Sequence, residues 1–181
     1  MRGFIKALKA LPGRWVRETE AVATVEATLV FPILLTILLG TFDMGNGLLA
    51  NQKAIRASQI VADLVTRNMT VSEEEIEEAI TAGSLAFEPL DSSSYGVDIV
   101  SIRFDEEAEP EIVWRETSIG MSANQNVLDD VASLAEADNG VVVVTVGYVF
   151  EPVFAGFLLN TMPMQETAFA RGRRSAVVNL E

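Results

Sequence analysis

Between Ala21 and Phe42 the chain reads AVATVEATLVFPILLTILLGTF, an apolar run in which Glu26 is the only charged residue. At about 1.5 Å rise per residue, a helix over this run is about 33 Å long, enough to cross a hydrocarbon core of about 30 Å. Backbone in lipid must satisfy its own hydrogen bonds, so the run is read as a transmembrane helix. A carboxylate near the edge of such a helix is costly unless it has a partner or a route to water.

Charge is distributed unevenly around this run. Residues 1–20 carry Arg2, Lys6, Lys9, Arg14 and Arg17 against Glu18 and Glu20, whereas the rest of the chain is strongly acidic and brings the formal net charge to −13. The positive-inside bias therefore places the basic head in the cytoplasm and the acidic body outside. A cleaved secretory signal is the main competing interpretation, but its apolar core is usually about 7–15 residues and ends at a small-residue site. The uncharged stretch 27–42 is longer, and the following DMGNGLLANQ has no A-x-A site, so the anchor is preferred. Asp43 marks its outer boundary. Pro32 removes a backbone donor from the run. Membrane helices tolerate proline, and a proline also makes a soft point at which a helix bends; both readings stand.

The acidic body argues against nucleic acid as a partner, because phosphate binding needs a basic surface. The sequence has no cysteine and no histidine. Disulfides are thus excluded, and the commonest general base and zinc ligand are missing. Asp98, Asp105, Glu106, Glu107 and Glu109 are the carboxylates that acid–base chemistry would draw on. They gather around a turn, where acids are ordinary, and the sequence shows no nucleophile elbow or phosphate-binding loop. No catalytic residue, cofactor or metal ligand is assigned.

Helical patterning continues past the apolar run. Ala50, Ala54, Ala57, Val61 and Leu64 recur at helical spacing, so one helix is expected from about Arg17 to Asn68, with a buried face of small residues suited to packing on a sheet. Ser72 and Glu75 form a capping box opening a second helix over Ser72–Leu85. Glu73, Glu74, Glu75, Glu77 and Glu78 crowd its start, where the helix dipole favours negative charge; a cation site is the sharper alternative. Tyr95–Phe104 and Glu111–Thr117 read as a hairpin about the acidic turn DEEAEP. Ser122–Glu136 reads as a short helix with Val127, Leu128, Val131 and Leu134 on its apolar face. Val141–Phe150 (VVVVTVGYVF) reads as a central strand, apolar on both faces. A loop with Phe154, Phe157, Leu158 and Leu159 follows. A last strand is expected over Met164–Arg171, extending toward Val178.

Two segments carry a family resemblance. ATVEATLVFPILLTILLG, and VVVVTVGYVFEPVF followed by ETAFARGRR, together resemble the TadE-like minor pilins of the tight-adherence (Tad) pilus system. The resemblance implies an α+β fold: an N-terminal transmembrane helix continuing into a pilin-like domain with a small, mainly antiparallel four-stranded sheet. It implies a cytoplasmic basic leader over 1–20, a transmembrane helix over 21–42 and an extracytoplasmic domain over 43–181, held in the inner membrane. It also implies a structural role in pilus biogenesis, adhesion or secretion, with other pilin subunits, assembly machinery and a prepilin peptidase as partners.

The resemblance implies that a membrane peptidase cuts just before the mature helix and that the glutamate neutralises a neighbouring subunit's new amino terminus. Carried over, Ala21 and Val22 flank the cut and Glu26 is the pairing residue. The family's usual glycine before the cut is Ala21 here. An uncleaved membrane-bound assembly factor, with Glu26 snorkelling to water, is the competing interpretation. A generic single-pass membrane-tethered binding or adaptor domain is a further one. Arg171, Arg173 and Arg174 form the only basic cluster of the acidic body. They either guard an exposed strand edge or contact an acidic face such as Glu73–Glu78, on the same chain or the next.

Overall fold

The computed structural model describes residues 19–154, 156 and 160–181. Most of the expected basic leader, through residue 18, lies outside the described residues, as do Phe157, Leu158 and Leu159 of the expected apolar loop.

One helix, α1 (Thr19–Val65), dominates the architecture. None of the described residues buries its first half: Val25, Leu29, Phe31, Leu34 and Leu38 are all exposed. Its second half turns a stripe of small residues inward, and Ala50, Ala54, Ala57 and Val61 are fully buried. Alanine on that stripe lets the helix backbone lie close against the sheet, the arrangement its spacing predicted. Helix α1 is one element with two solvents.

The sheet has strand order β3-β2-β4-β5, and all its pairings are antiparallel. Its strands are β2 (Gly96–Phe104), β3 (Pro110–Thr117), β4 (Gly140–Phe150) and β5 (Met162–Ala170). The inner strands β2 and β4 are covered on both faces, which explains why VVVVTV is unbroken by polar alternation. On one face Val97, Ile99, Val142, Val144 and Val146 pack in the same core as the α1 alanines. On the other, Val100, Ile102, Phe104, Val141 and Val143 pack with Val127 and Val131. Each such valine contributes about 1.5–3 kcal/mol by leaving water.

The helix α2 (Glu73–Leu85) packs on α1 and begins at the expected capping box: the Glu75 amide donates to Ser72 Oγ (3.3 Å) and the Ser72 amide to Glu75 Oε2 (3.1 Å). Just past its other end, Lys53 Nζ on α1 donates to the carbonyls of Ala86 (3.1 Å) and Glu88 (2.5 Å). Gly83 is required where the helices meet, because a Cβ there would lie 2.2 Å from the Tyr95 hydroxyl and 2.7 Å from Val61.

Two expectations are corrected. The helix expected over Ser122–Glu136 is only α3 (Val127–Val131) with a following 3-10 turn, and Leu128 and Leu134 are not buried. Its intended first turn is engaged elsewhere: the Asn124 amide donates to Asp98, and Asn124 Oδ1 accepts from the Asn126 amide. Such side-chain bonds compete with helix nucleation. The last long strand also ends at Ala170 rather than running on to Val178. The chain turns at Gly172, and β6 (Asn179–Leu180) pairs in parallel with β1 (Thr70–Val71). The Val178 carbonyl accepts from both Ser101 Oγ (2.7 Å) and Trp114 Nε1 (2.8 Å), which ties the tail into the core.

Candidate functional site: the apolar helix and its exit from the domain

Helix α1 is long and apolar enough to cross a membrane, and its apolar stretch near the N-terminus has a mean hydropathy of 2.2. The polar side chains on this stretch are satisfied locally. Thr28, Thr36 and Thr41 each fold back to donate to the carbonyl four residues earlier (2.7–2.8 Å), on Thr24, Pro32 and Ile37. That is how a hydroxyl is carried in a segment without water. The helix runs unbroken through Pro32.

Ala21 and Val22 lie within the helix, and Val22 and Glu26 are exposed. Val22 and Glu26 are four positions apart, so they share a helix face one turn apart. Glu26 therefore projects from the same side as the residue that would carry a new amino terminus. The carboxylate stands beyond the domain, open to whatever packs on that half of the helix.

Where the helix meets the domain, Asp43 is buried, 1 % exposed. Its Oδ1 accepts from the Val153 amide (3.1 Å) and its Oδ2 from the Phe154 amide (2.8 Å). The Phe42 and Phe154 rings meet edge to face at 5.5 Å. Asp43 is thus more than a boundary marker, because it fastens the start of the β4–β5 connection to the helix. Sequence reasoning missed this, since its partners are backbone amides over a hundred positions away. A cavity of about 610 Å³ opens beside this junction, lined by Phe42, Asn46, Asp91, Tyr148 and Phe154 among others. Burial, with the Asp91 and Glu151 charges, pushes the Tyr148 hydroxyl above its ordinary pKa, and that hydroxyl donates to the Asp91 carbonyl at 2.9 Å.

The basic cluster is spread along the exposed chain after β5. Arg171 pairs with Glu136 at 2.5 Å, and Arg173 pairs with Asp63 on α1. These partners are not on the Glu73–Glu78 face of α2. Arg174 is exposed.

The candidate acid–base carboxylates do not form one site. Asp98 is fully buried and takes Arg115 Nε (2.9 Å), Arg115 Nη2 (2.6 Å), Thr117 Oγ1 (2.7 Å) and the Asn124 amide (2.9 Å). Burial alone would raise its pKa, but the Arg115, Thr117 and Asn124 bonds and the Arg115 charge outweigh it and hold the carboxyl below the usual range. Asp105 caps its own turn, accepting from the Glu107 and Glu109 amides. Among the described residues, no group of three or more acidic side chains gathers to hold a metal ion.

Residues 21–63 match the family model described as TadE-like protein. The matched segment is most of α1: the exposed apolar half with Glu26 and Pro32, and the buried alanine stripe. Match and helix together are consistent with membership of that family and with a membrane-anchored, pilin-associated role. No curated protein and no solved structure matches the chain.

Proposed function

We propose that this protein is a TadE-like minor pilin or pilus-assembly protein of a Tad-type system. It is held in the inner membrane by the first half of α1, with the leader in the cytoplasm and the sheet domain outside. The observation that carries this reading is the coincidence of the family match with one continuous helix, whose apolar first half is left exposed by the described residues. The second half is the domain's own core. A subunit built this way transmits any axial position of its membrane helix directly to its outer domain.

On this reading Glu26 is the pairing residue. Cleavage between Ala21 and Val22 by a prepilin peptidase creates an α-amine, which needs an anion once it lies among apolar helices. A glutamate there needs a cation. Pairing the two across subunits fixes their axial stagger. Pro32 supplies a soft point for repacking, and Arg171, Arg173 and Arg174 offer a basic surface to an acidic neighbour.

Glu26→Gln tests the pairing, because it keeps shape and removes charge. The expected result is normal membrane retention with lost or sharply reduced incorporation into pilus assemblies, read by co-purification with filament components. Unchanged incorporation contradicts the pairing role. The cavity beside the α1 exit favours one second reading, a membrane-tethered adaptor that binds a ligand there; unchanged pilus assembly on deleting the chain would support it.

A further inference from the structure

We propose that the start of the β4–β5 connection, Val153 and Phe154, is a second membrane contact: an apolar foot that sits in the interface of the same bilayer α1 crosses. The inference rests on the membrane-anchored reading above and adds a surface to it.

Three observations converge on it. First, the foot is fastened at a known depth along α1. Asp43 accepts the Val153 and Phe154 amides, and Phe154 packs on Phe42. The apolar run ends at Phe42. If the bilayer begins at Val22, about 20 residues of helix bring its far surface to Phe42. If Glu26 stays outside the hydrocarbon, the same length brings the surface to about Asn46. The first register holds Phe154 at the hydrocarbon surface, and the second holds it about 6 Å inside that surface.

Second, the side chains are apolar and bare. Val153 is 71 % exposed and Phe154 44 % exposed, and the Phe42 ring on which Phe154 packs is itself 54 % exposed. Met44 and Leu48 on α1 are exposed to a similar degree just beyond the run. These residues continue the apolar surface of the helix onto the base of the domain, so the occupant is the lipid that covers the helix itself. An aromatic ring at this level is suited to the interface.

Third, the carboxylate that α1 carries at this depth is hydrogen-bonded rather than bare. A carboxylate at the bilayer edge is expensive when unpaired. Asp43 is buried and receives two backbone amides, which also removes two polar donors from the foot's own backbone. The foot thereby presents carbon rather than unpaired N–H groups to lipid.

The absence of cysteine makes a direct test available. Val153→Cys and Phe154→Cys in the full chain are labelled with an environment-sensitive fluorophore and reconstituted at one copy per lipid nanodisc. Labels at Leu34→Cys, on the apolar run, and Glu107→Cys, on the distal turn, are the references. The expected result is blue-shifted emission at positions 153 and 154, quenched by lipids carrying a nitroxide near the headgroup. Position 34 should be quenched by deep-chain nitroxides and position 107 by neither. Water-like emission at 153 and 154 with position 34 quenched overturns the foot while leaving the anchor standing. Water-like emission at position 34 overturns the anchor and the foot with it. A blue shift at 153 and 154 that appears only with several copies per disc overturns the lipid contact in favour of a neighbouring subunit.

Discussion

Asp98→Asn makes the most searching test of the domain's internal logic. The substitution keeps the shape of the side chain and one carbonyl oxygen, but replaces the other oxygen with an NH2 group. In one rotamer that group faces Arg115 Nη2 and the Asn124 amide, both donors; in the other it faces Arg115 Nε and Thr117. Two hydrogen bonds to a buried charge are lost in the first rotamer; in the second the Thr117 hydroxyl can turn to accept and the Arg115 Nε bond is lost, each bond being worth about 1.5–3 kcal/mol. Arg115 is partly exposed, so water recovers some of this loss. The expected cost is about 3–5 kcal/mol, the usual range for breaking one side of a buried ion pair. That is a large part of the roughly 5–15 kcal/mol that a domain has. The assay is urea unfolding of the detergent-solubilised full chain, followed by near-ultraviolet circular dichroism. Asp98→Asn combined with Arg115→Met should regain much of the loss, because no charge is left unpaired. The sign of the pH effect also follows. The folded-state pKa lies below the ordinary value of 3.8, so the ionised carboxylate's contribution is fully present above about pH 4 and is lost as pH falls through the folded value. The gap between wild type and Asp98→Asn should be constant near neutrality and narrow in acid. A single variant within about 0.5 kcal/mol of wild type, as for an ordinary surface change, would refute this reasoning.

Gly83→Ala should destabilise the α1–α2 contact by about 1–3 kcal/mol through overpacking against the Tyr95 hydroxyl and Val61; its midpoint in the same urea assay reads the cost. Tyr95→Phe should be neutral or stabilising, because among the described residues that hydroxyl is buried without a hydrogen-bond partner, and it should partly rescue Gly83→Ala. Charge reversal at Arg173 and Arg174 should leave the urea midpoint nearly unchanged, since the Arg173–Asp63 pair is exposed and such pairs contribute little. If the cluster meets an acidic neighbour, co-assembly with filament components should fall; unchanged co-assembly removes that role.

Much of the architecture was legible because it is written in repeating patterns. The apolar run, the alanine stripe from Ala50 to Val61, the capping box at Ser72 and the valines of β4 each state one element and its buried face. Less legible was whatever depends on distant partners. The pairing of β6 with β1 involves two residues on each side, too few for any period. The expected α3 lost its first turn to the Asp98 network, a competition invisible without knowing that Arg115 and Asn124 converge there. One signal was available: Asp98 alternates in phase with Val100 and Ile102, so it points inward, and an inward acid demands a donor. Asp43 offered no such cue, since backbone amides leave no mark in a sequence. Glu26 was conspicuous for the opposite reason, as a charge alone in an apolar run.

The most direct measurement is the intact mass and amino-terminal sequence of the protein extracted from membranes. If the helix enters the bilayer as a processed subunit, with Glu26 four positions from a new amine, the chain begins at Val22. A chain beginning near Gly45, or a full-length chain recovered free of the membrane, contradicts it.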